Sequence, residues 1–463
     1  MPSTSHPLEV VIGLGRSGSG AARLLQANGR RVLVLESRRS PELEQQAEAL
    51  RAGGVEVELG QPLAAERFAQ LQPGRDRVVV SPGIRWDHPV LEALRERGVR
   101  VCGEMSVAWE ASGSIPWIGI TGTNGKTTVT HLLSHVLSHA GLDAPMVGNV
   151  GISAAELLLE RREAGTTPPD WLVVELSSYQ IESSAELAPR LGLWTTLTPD
   201  HLERHGTLEA YRAIKRSLLE NSGEQLLNAD DADLRAHAGS WNRADWVTAG
   251  PREQLGAGLQ PCLWIDGGMV TAASGALFPA TALALPGAHN RQNMVLVVAA
   301  ALKLGLEPAV IEAALRSFPG VPHRLEQIRL LDGVRWFNDS KATNYDAAEV
   351  GITAVEGPMV VLAGGEIKQG DPGAWLEALG QRSAAVVLFG AARDAFAALL
   401  SDSGYPGTVQ LVEDQTEAVP LARELARRLG CPTVLLSPAC ASFDQYKDFE
   451  ARGEHFRSLV AAL

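Results

Sequence analysis

The sequence has 463 residues, of which 45% are hydrophobic and 21% charged, and its formal net charge at pH 7 is −13. A chain of this length is too long to fold around one hydrophobic core, so two to four domains are expected. The composition is that of a globular rather than a disordered protein. The acidic balance argues against nucleic-acid binding, which needs a basic face. It is compatible with phosphorylated small molecules, which backbone N–H groups can hold.

Nothing in the sequence predicts export or membrane insertion. No stretch approaches the roughly twenty apolar residues of a membrane helix, and the N-terminus lacks the basic region and cleavage site of a signal peptide. The cysteines form no CxxC pair and are too few to staple the chain; they are Cys102, Cys262, Cys431 and Cys440. We therefore expect a cytoplasmic location.

Apolar, β-branched runs alternate with amphipathic helical runs, which predicts parallel sheets covered by helices. The predicted strands are 8–13, 31–36, 77–81, 117–121, 171–176, 193–198, 359–364, 384–390 and 432–437. Breaks at 103–116 and 317–324 separate three units. The predicted fold is α/β with three domains: a Rossmann-like domain (1–104), a central P-loop ATPase-type parallel-sheet domain (105–320) and a doubly wound, Rossmann-like C-terminal domain (321–463).

A first glycine-rich loop lies between a predicted strand and a helix. It contains Gly13, Gly15 and Gly18, and Glu36 closes the next strand. This spacing is typical of a tight turn that places a diphosphate on a helix N-terminus, with an acid on a ribose hydroxyl. Taken alone, the loop is compatible with NAD or FAD, with another nucleoside diphosphate, or with a structural turn.

A second glycine-rich loop, Gly122-Thr123-Asn124-Gly125-Lys126-Thr127-Thr128, also joins a strand to a helix. Its backbone N–H groups can wrap a β-phosphate, its lysine can reach the transferred phosphate, and the Thr127 hydroxyl can bind Mg²⁺. The first glycine of the usual GxxxxGK[ST] pattern is missing, but the flanking strand and helix favour a nucleotide site over a chance turn.

Polar residues follow two further strands of the central domain. Glu175 ends one strand, and Asp200 and His201 follow another. Such residues can bind Mg²⁺ beside a phosphate loop, and the alternative is ordinary loop polarity.

Lys215 lies on a predicted helix, between Tyr211 and Leu219 on its apolar side. A lysine held against apolar surface has a lowered pKa and can react as a neutral amine. The helical wheel alone favours the alternative, a lysine whose amino group reaches out to water.

Three polar loops of the third domain, at 337–346, 363–371 and 437–453, follow predicted strands. Lys341 and Lys368 could hold a dicarboxylate, and Ser442 its second carboxyl. Each lysine alone could equally be a solvated surface residue, but three such loops at strand ends favour a site.

These motifs together resemble the Mur ligases of peptidoglycan synthesis, and within them the branch that adds D-glutamate. The matching segments are GLGRSG (13–18), SPGI (81–84), GTNGKTT (122–128), GNVG (148–151), ELSSYQ (175–180), TPDHLERHG (198–206), GAHNRQN (287–293), PHRLE (322–326), NDSKATN (338–344) and SPACASFDQYKDFEARG (437–453). The last two are the most specific. Thr196, Pro199, Glu203 and Glu36 depart from residues common in that branch, without removing a group that the chemistry needs.

The resemblance implies a role for each matching position. UDP-N-acetylmuramoyl-L-alanine would be bound by Gly15, Arg16, Ser17, Glu36, Ser37, Arg38, Ser81, Gly83, Asn149 and Ser177. ATP would be bound by Gly122 to Thr128, with Asn290, Asn293, Arg324 and Asp339. Two Mg²⁺ ions would be bound by Thr127, Glu175, His201 and Lys215, the last as a carbamate. D-Glutamate would contact Lys341, Thr343, Lys368, Ser442, Phe443 and Phe449.

The implied reaction is ATP-dependent amide-bond formation through an acyl phosphate, with Lys126, His201 and Lys215 as catalytic residues, in a monomer. A sister ligase for another amino acid remains open. So do an NAD-dependent oxidoreductase, which leaves the second loop unexplained, and a P-loop regulatory NTPase, although no [NT]KxD motif is present.

Overall fold

A computed structural model describes residues 7–256, 258–367 and 370–463. The first sheet has the strand order β3-β2-β1-β4-β5, and all its neighbours are parallel. Its strands are β1 (Leu8–Ile12), β2 (Arg31–Glu36), β3 (Glu56–Leu59), β4 (Arg77–Val80) and β5 (Arg100–Gly103), and its helices are α1 (Arg16–Ala27), α2 (Pro41–Ala52), α3 (Pro89–Glu96) and α4 (Glu104–Ser112). Val11 and Val79 face one core while Val10 and Val78 face another, so helices cover both faces.

The second sheet has nine strands in the order β14-β13-β12-β11-β10-β9-β6-β8-β7. Its strands are β6 (Trp117–Thr121), β7 (Met146–Gly148), β8 (Leu172–Glu175), β9 (Leu191–Trp194), β10 (Glu224–Asn228), β11 (Asp245–Val247), β12 (Pro261–Asp266), β13 (Met269–Ala272) and β14 (Gly275–Pro279). β12, β13 and β14 pair antiparallel at one edge, and the other neighbours are parallel.

Eight helices accompany this sheet in the described chain. They are α5 (Lys126–His139), α6 (Ala154–Glu163), α7 (Ser178–Ser183), α8 (Leu202–His205), α9 (Leu208–Asn221), α10 (Ala232–Ala236), α11 (Ala288–Lys303) and α12 (Pro308–Ser317). Helix α9 begins after Thr207, whose hydroxyl accepts the N–H of Ala210 at 3.1 Å. This cap fixes the start of the helix that carries Lys215.

The third sheet has the order β15-β16-β20-β17-β18-β19, and only the β15–β16 pair is antiparallel. Its strands are β15 (Glu326–Leu331), β16 (Val334–Asn338), β17 (Met359–Gly364), β18 (Ser383–Phe389), β19 (Thr408–Leu411) and β20 (Thr433–Leu436), and its helices are α13 (Tyr345–Ala354), α14 (Gly373–Arg382), α15 (Arg393–Asp402), α16 (Gln415–Leu429) and α17 (Phe449–Ala462). Val361 packs with α13 to α15 and Val360 with α16 and α17, so this sheet is doubly wound.

The predicted α/β class with three parallel-sheet domains is confirmed. By contacts the chain forms two compact units: residues 1–284 with 288–318, and residues 285–287 with 319–463. The first unit contains two sheets because one hydrophobic core includes residues of α1 and α4 as well as of α6. The domain limits at 104 and 320 remain predictions. No helix of the described residues is both long and apolar enough to cross a membrane.

Candidate active site

The second glycine-rich loop lies between β6 and the first turn of α5. Gly122 and Gly125 have φ angles of +149° and +83°. A Cβ atom would lie 1.9 Å from Thr195 Oγ1 at the first position and 2.6 Å from Asn293 Oδ1 at the second. Both positions therefore require glycine. This close approach also brings Asn293 to the loop, and Asn293 Nδ2 donates to Asn290 Oδ1 at 3.4 Å.

The residues after β9 hold the other side of this loop. Asn124 N donates to Thr196 Oγ1 at 2.9 Å, and Thr123 N donates to Thr196 O at 2.8 Å. Thr198 N donates to Thr123 Oγ1 at 3.1 Å. The predicted strand 193–198 was therefore placed too late, because β9 ends at Trp194 and the next residues bond to the phosphate loop instead of extending the sheet.

Two lysines converge on one carbonyl of the loop. Lys126 Nζ donates to Gly122 O at 2.8 Å, and Lys215 Nζ donates to the same oxygen at 2.9 Å and to Thr121 Oγ1 at 3.3 Å. Burial lowers the pKa of Lys215 well below its ordinary value, and the charge of Lys126 lowers it further. The expectation that Lys215 reaches out to water is wrong, since the side chain is 1% exposed and its amino group ends beneath the loop.

Three aromatic rings follow one another from the amino group of Lys215. Lys215 Nζ lies 4.6 Å from the ring centre of Tyr211, whose hydroxyl is 3.4 Å from Thr123 Oγ1. The His205 ring lies between Tyr211 and Tyr179, at 5.3 and 5.4 Å, and its Nε2 is 2.9 Å from Ser178 Oγ. Burial, followed by the neighbouring cations, lowers the pKa of His205 to about 4. His205 was not among the predicted site residues, although it lies within the TPDHLERHG motif.

Glu175 ends β8 beside the phosphate loop. Its Oε1 accepts from Asn149 Nδ2 at 2.8 Å, whereas its buried Oε2 has no hydrogen-bond partner among the described atoms. An unsatisfied buried carboxylate oxygen suits a hard cation. Within the described residues, however, no group of three His, Cys, Asp or Glu side chains is placed to hold a metal.

His201 lies in the loop before α8, half-exposed, 3.5 Å from Asp200 Oδ2 through Nε2. Its φ of +54° is in the left-handed region, which costs a non-glycine residue of the order of 1 kcal/mol and is concentrated at functional sites. Thr127, in the first turn of α5, is buried. The structure thus places Thr127 and Glu175 around the phosphate loop, and the magnesium assignments remain predictions.

The first glycine-rich loop is organised by Glu36. Glu36 Oε2 accepts from Leu14 N at 2.9 Å, and Oε1 accepts from Arg38 N at 2.9 Å and Arg38 Nε at 3.2 Å. Burial alone would raise the pKa of Glu36, but these hydrogen bonds outweigh it and leave the pKa below its usual value. Gly15 precedes α1 as its N-cap, which leaves a helix N-terminus for a phosphate.

The remaining residues predicted for the UDP-substrate lie around this loop. Ser81 Oγ is 3.4 Å from Gly13 O, while Gly83 is exposed. Ser17 is half-buried and Ser37 Oγ is 3.5 Å from Glu36 Oε1. Arg16 Nη1 donates to Gly151 O at 3.0 Å, so this loop contacts the GNVG segment of the central domain.

In the second compact unit, Asp339 follows β16 and is fully buried. Burial raises its pKa to about 7, against the opposing charge of Arg324 and a 3.0 Å hydrogen bond from Ser437 Oγ. Lys341 Nζ lies 5.6 Å from the ring centre of Phe449. Thr343 is half-buried, Ser442 buried and Phe443 69% exposed. Lys368 lies outside the described residues.

Arg452 is the functional candidate that the sequence reading missed in this unit. It is fully buried, and its guanidinium donates to the carbonyl oxygens of Ser340, Cys440 and Ala441 at 2.8, 3.0 and 3.1 Å and to Ser340 Oγ at 3.0 Å. Burial lowers its pKa to about 10. The hydrogen bonds of Arg452 therefore connect the NDSKATN loop to the SPACASFDQ loop.

The chain is similar to proteins of one family along almost its whole length. Family models match at residues 8–103 (Mur ligase MurD-like, N-terminal domain) and 120–301 (Mur ligase middle domain). The UDP-N-acetylmuramoylalanine–D-glutamate ligase of Parasynechococcus marenigrum (strain WH8102) is 59% identical, with 97% of each chain covered. That of Synechococcus sp. (strain CC9605) is 57% identical, with 98% of each covered.

Solved structures agree on the fold. The UDP-N-acetylmuramate-alanine ligase MurC of Thermotoga maritima superposes with a TM-score of 0.59 at 19% identity, covering 98% of this chain and 99% of that one. Because relatives at 59% and 57% identity cover nearly the whole chain and two Mur ligase family models match it, the chain belongs to the Mur ligase family. The two relatives at 59% and 57% identity are both named as the D-glutamate-adding ligase.

Proposed function

We propose that this chain is the ligase that uses ATP to join D-glutamate to UDP-N-acetylmuramoyl-L-alanine, a step of peptidoglycan synthesis. The substrates are inferred from the names of relatives that match nearly the full chain at 59% and 57% identity. The chemistry is supported by the phosphate loop and the two lysines on Gly122 O. A cytoplasmic location and a monomeric state belong to the same proposal.

The reaction requires two displacements. A carboxylate oxygen of the UDP-substrate forms a bond to the γ-phosphorus of ATP, the bond to ADP breaks, and an acyl phosphate results. The amine of D-glutamate then bonds to the acyl carbon, phosphate leaves, and the amine proton passes to a base, for which His201 is the candidate. Lys126, at the first turn of α5, offsets the charge that spreads over the transferred phosphate.

Mg²⁺ would neutralise phosphate charge when bound. Thr127, Glu175 and His201 would hold it, and the unpartnered Oε2 of Glu175 fits that role. The lowered pKa of Lys215 favours its neutral amine, which can add CO₂, lose a proton and become a carbamate. That carbamate would supply a further anionic oxygen ligand. Removal of divalent metal by EDTA is expected to stop turnover, and excess Mg²⁺ to restore it.

The substrates would divide among the domains. The loop at Gly15 and Glu36 would hold the uridine diphosphate, Asn149 and Ser177 the muramoyl group, and the third-domain loops D-glutamate. Asn290 and Asn293 would contact ATP beside the phosphate loop, and Arg324 and Asp339 from the third domain.

The most informative test measures ADP release with UDP-N-acetylmuramoyl-L-alanine and a panel of amino acids. Release with D-glutamate, but not with L-alanine or L-lysine, is expected. Release with one of the other amino acids instead would identify a sister ligase. An oxidoreductase predicts a fluorescence change on adding NADH, and none is expected, because an oxidoreductase would leave the phosphate loop and its two lysines without a role.

A further inference from the structure

A buried carboxyl group lies where the first sheet adjoins the central sheet within the first compact unit. Glu104 begins α4, is 2% exposed, and its Oε1 accepts from Gln180 Nε2 at 3.1 Å. Its Oε2 is buried without a hydrogen-bond partner among the described atoms. Neither the sequence reading nor the proposed reaction gives Glu104 a role.

Gln180 links Glu104 to the ELSSYQ segment. Gln180 Oε1 accepts from Ser177 N at 3.1 Å and from Ser177 Oγ at 3.0 Å, while Gln180 N donates to Ser177 Oγ at 3.3 Å. These bonds form a capping box at the start of α7. The hydroxyl direction of Ser177 is therefore set by the carboxamide of Gln180.

A carboxamide has a donating end and an accepting end, and its orientation follows from its partners. Glu104 presents an oxygen, so it selects the NH₂ end of Gln180 and turns the carbonyl end toward Ser177. Without this oxygen the side-chain amide of Gln180 could rotate by 180°. Its NH₂ group would then face the backbone N–H of Ser177, and two hydrogen-bond donors cannot bond to each other.

We propose that Glu104 is a positioning residue that acts through Gln180 to orient Ser177 for the muramoyl part of the UDP-substrate. The inference rests on the proposed function, because it takes the substrate and the place of Ser177 from it. The residue before Glu104 lies close to the end of α7: a Cβ on Gly103 would be 2.6 Å from Ser184 Oγ, so α4 and α7 approach each other closely beside this pair.

The test is steady-state kinetics of Glu104→Leu, Glu104→Gln and Gln180→Met in the full chain. Losing one buried hydrogen bond of this kind is expected to raise KM for UDP-N-acetylmuramoyl-L-alanine about tenfold in E104L and Q180M. KM for ATP should change less than about twofold, because the phosphate loop is untouched. E104Q, which retains an accepting oxygen, should restore the wild-type KM.

Glu110→Gln is the matched control, since Glu110 lies on the same helix but bonds to Arg77 and Arg100. It should leave KM for UDP-N-acetylmuramoyl-L-alanine unchanged.

The E104L/Q180M double variant should have a KM no higher than that of either single variant, because both substitutions break the same chain of hydrogen bonds. Additive effects, an unchanged KM, or a change in E104Q equal to that in E104L would overturn the relay. If E104L does not fold, the KM values of Q180M and E104Q test the relay: a raised KM in Q180M with an unchanged KM in E104Q supports it, and any other result overturns it. A wild type without turnover overturns the proposed function as well.

Discussion

At the scale of single residues, Lys215 shows how the tertiary structure changes the meaning of a side chain. Its amino group is buried, bonded to Gly122 O and close to Lys126, so protonation is unfavourable there. Lys215→Ala is expected to lower kcat by about 10³-fold, of the order found on removing a group that stabilises developing charge. Bicarbonate with a short carboxylate should restore part of the activity by replacing the carbamate.

Lys303→Ala is a suitable control, because Lys303 pairs with Glu224 and Asp245 away from the phosphate loop. It should keep the wild-type kcat. Unchanged turnover in Lys215→Ala would rule out the carbamate.

Asp339 gives a prediction about pH. Burial raises its pKa in the folded state to about 7, whereas the pKa of an Asp in an unfolded chain is about 3.9. The folded state therefore holds the extra proton between these values, so the stability from this group is complete below the unfolded pKa and is lost as pH rises through about 7. The slope is at most about 1.4 kcal/mol per pH unit. In calorimetry between pH 5 and 8, Asp339→Asn should weaken the fall of the melting temperature.

Glu104 contributes a second, similar slope, since burial raises its pKa to about 7 as well. E104Q should therefore weaken the fall as well, and the D339N/E104Q variant should show a smaller fall over this range than either single variant. An equally steep fall in D339N and wild type would contradict the raised pKa of Asp339.

At the scale of elements, the segment after β9 is a support for the phosphate loop. Thr196→Val removes the oxygen that accepts Asn124 N–H at 2.9 Å. We expect KM for ATP to rise about tenfold, the usual effect of leaving a backbone donor unpaired. Thr198→Val is the matched control, because the bonds of Thr198 to Thr123 are made by its main chain. A rise of equal size in both variants would show that only loop packing matters.

The long buried strands could be predicted from sequence because apolar, β-branched runs between turn residues leave few alternatives. β1, β2, β6 and β17 lie within one residue of their predicted limits. Among the strands outside the predicted set, β7 has only three residues, and β3 alternates buried and exposed side chains. Their strand character comes from pairing with a neighbour rather than from their own composition.

The site divides in the same way. The phosphate loop could be predicted because its chemistry is contiguous in the chain. Glu104 could not be predicted, because its partner is the amide of Gln180, 76 residues away. Arg452 could not be predicted either, because two of its hydrogen bonds go to Ser340, 112 residues away. Lys215 was located correctly on the apolar side of its helix, but only the fold shows what covers that side.

At the scale of the whole molecule, the first compact unit joins the two glycine-rich loops into one body. Arg204 Nη1 donates to Asp87 Oδ1 at 2.8 Å and its Nη2 to Glu182 Oε2 at 2.9 Å, while Arg16 contacts Gly151 O. The side chain of Arg204 is 11% exposed and that of Glu182 20%, whereas that of Asp87 is 49% exposed, so the pair with Glu182 is the better shielded from solvent. The residues proposed for the UDP-substrate and the phosphate loop proposed for ATP thus belong to a single unit. The residues proposed for D-glutamate belong to the other unit, together with Arg324 and Asp339, which are also proposed for ATP.

This division predicts a conformational change during the reaction. The acyl phosphate must meet the amine of D-glutamate and must be kept from water, so we expect the binding of substrates to bring about a domain movement. Small-angle scattering is expected to show a smaller radius of gyration when ATP and UDP-N-acetylmuramoyl-L-alanine are both present. The UDP-substrate with AMP is the control, because it lacks the phosphates that the loop at Gly122 to Thr128 would bind. Scattering curves that do not change on adding ATP would contradict the predicted conformational change.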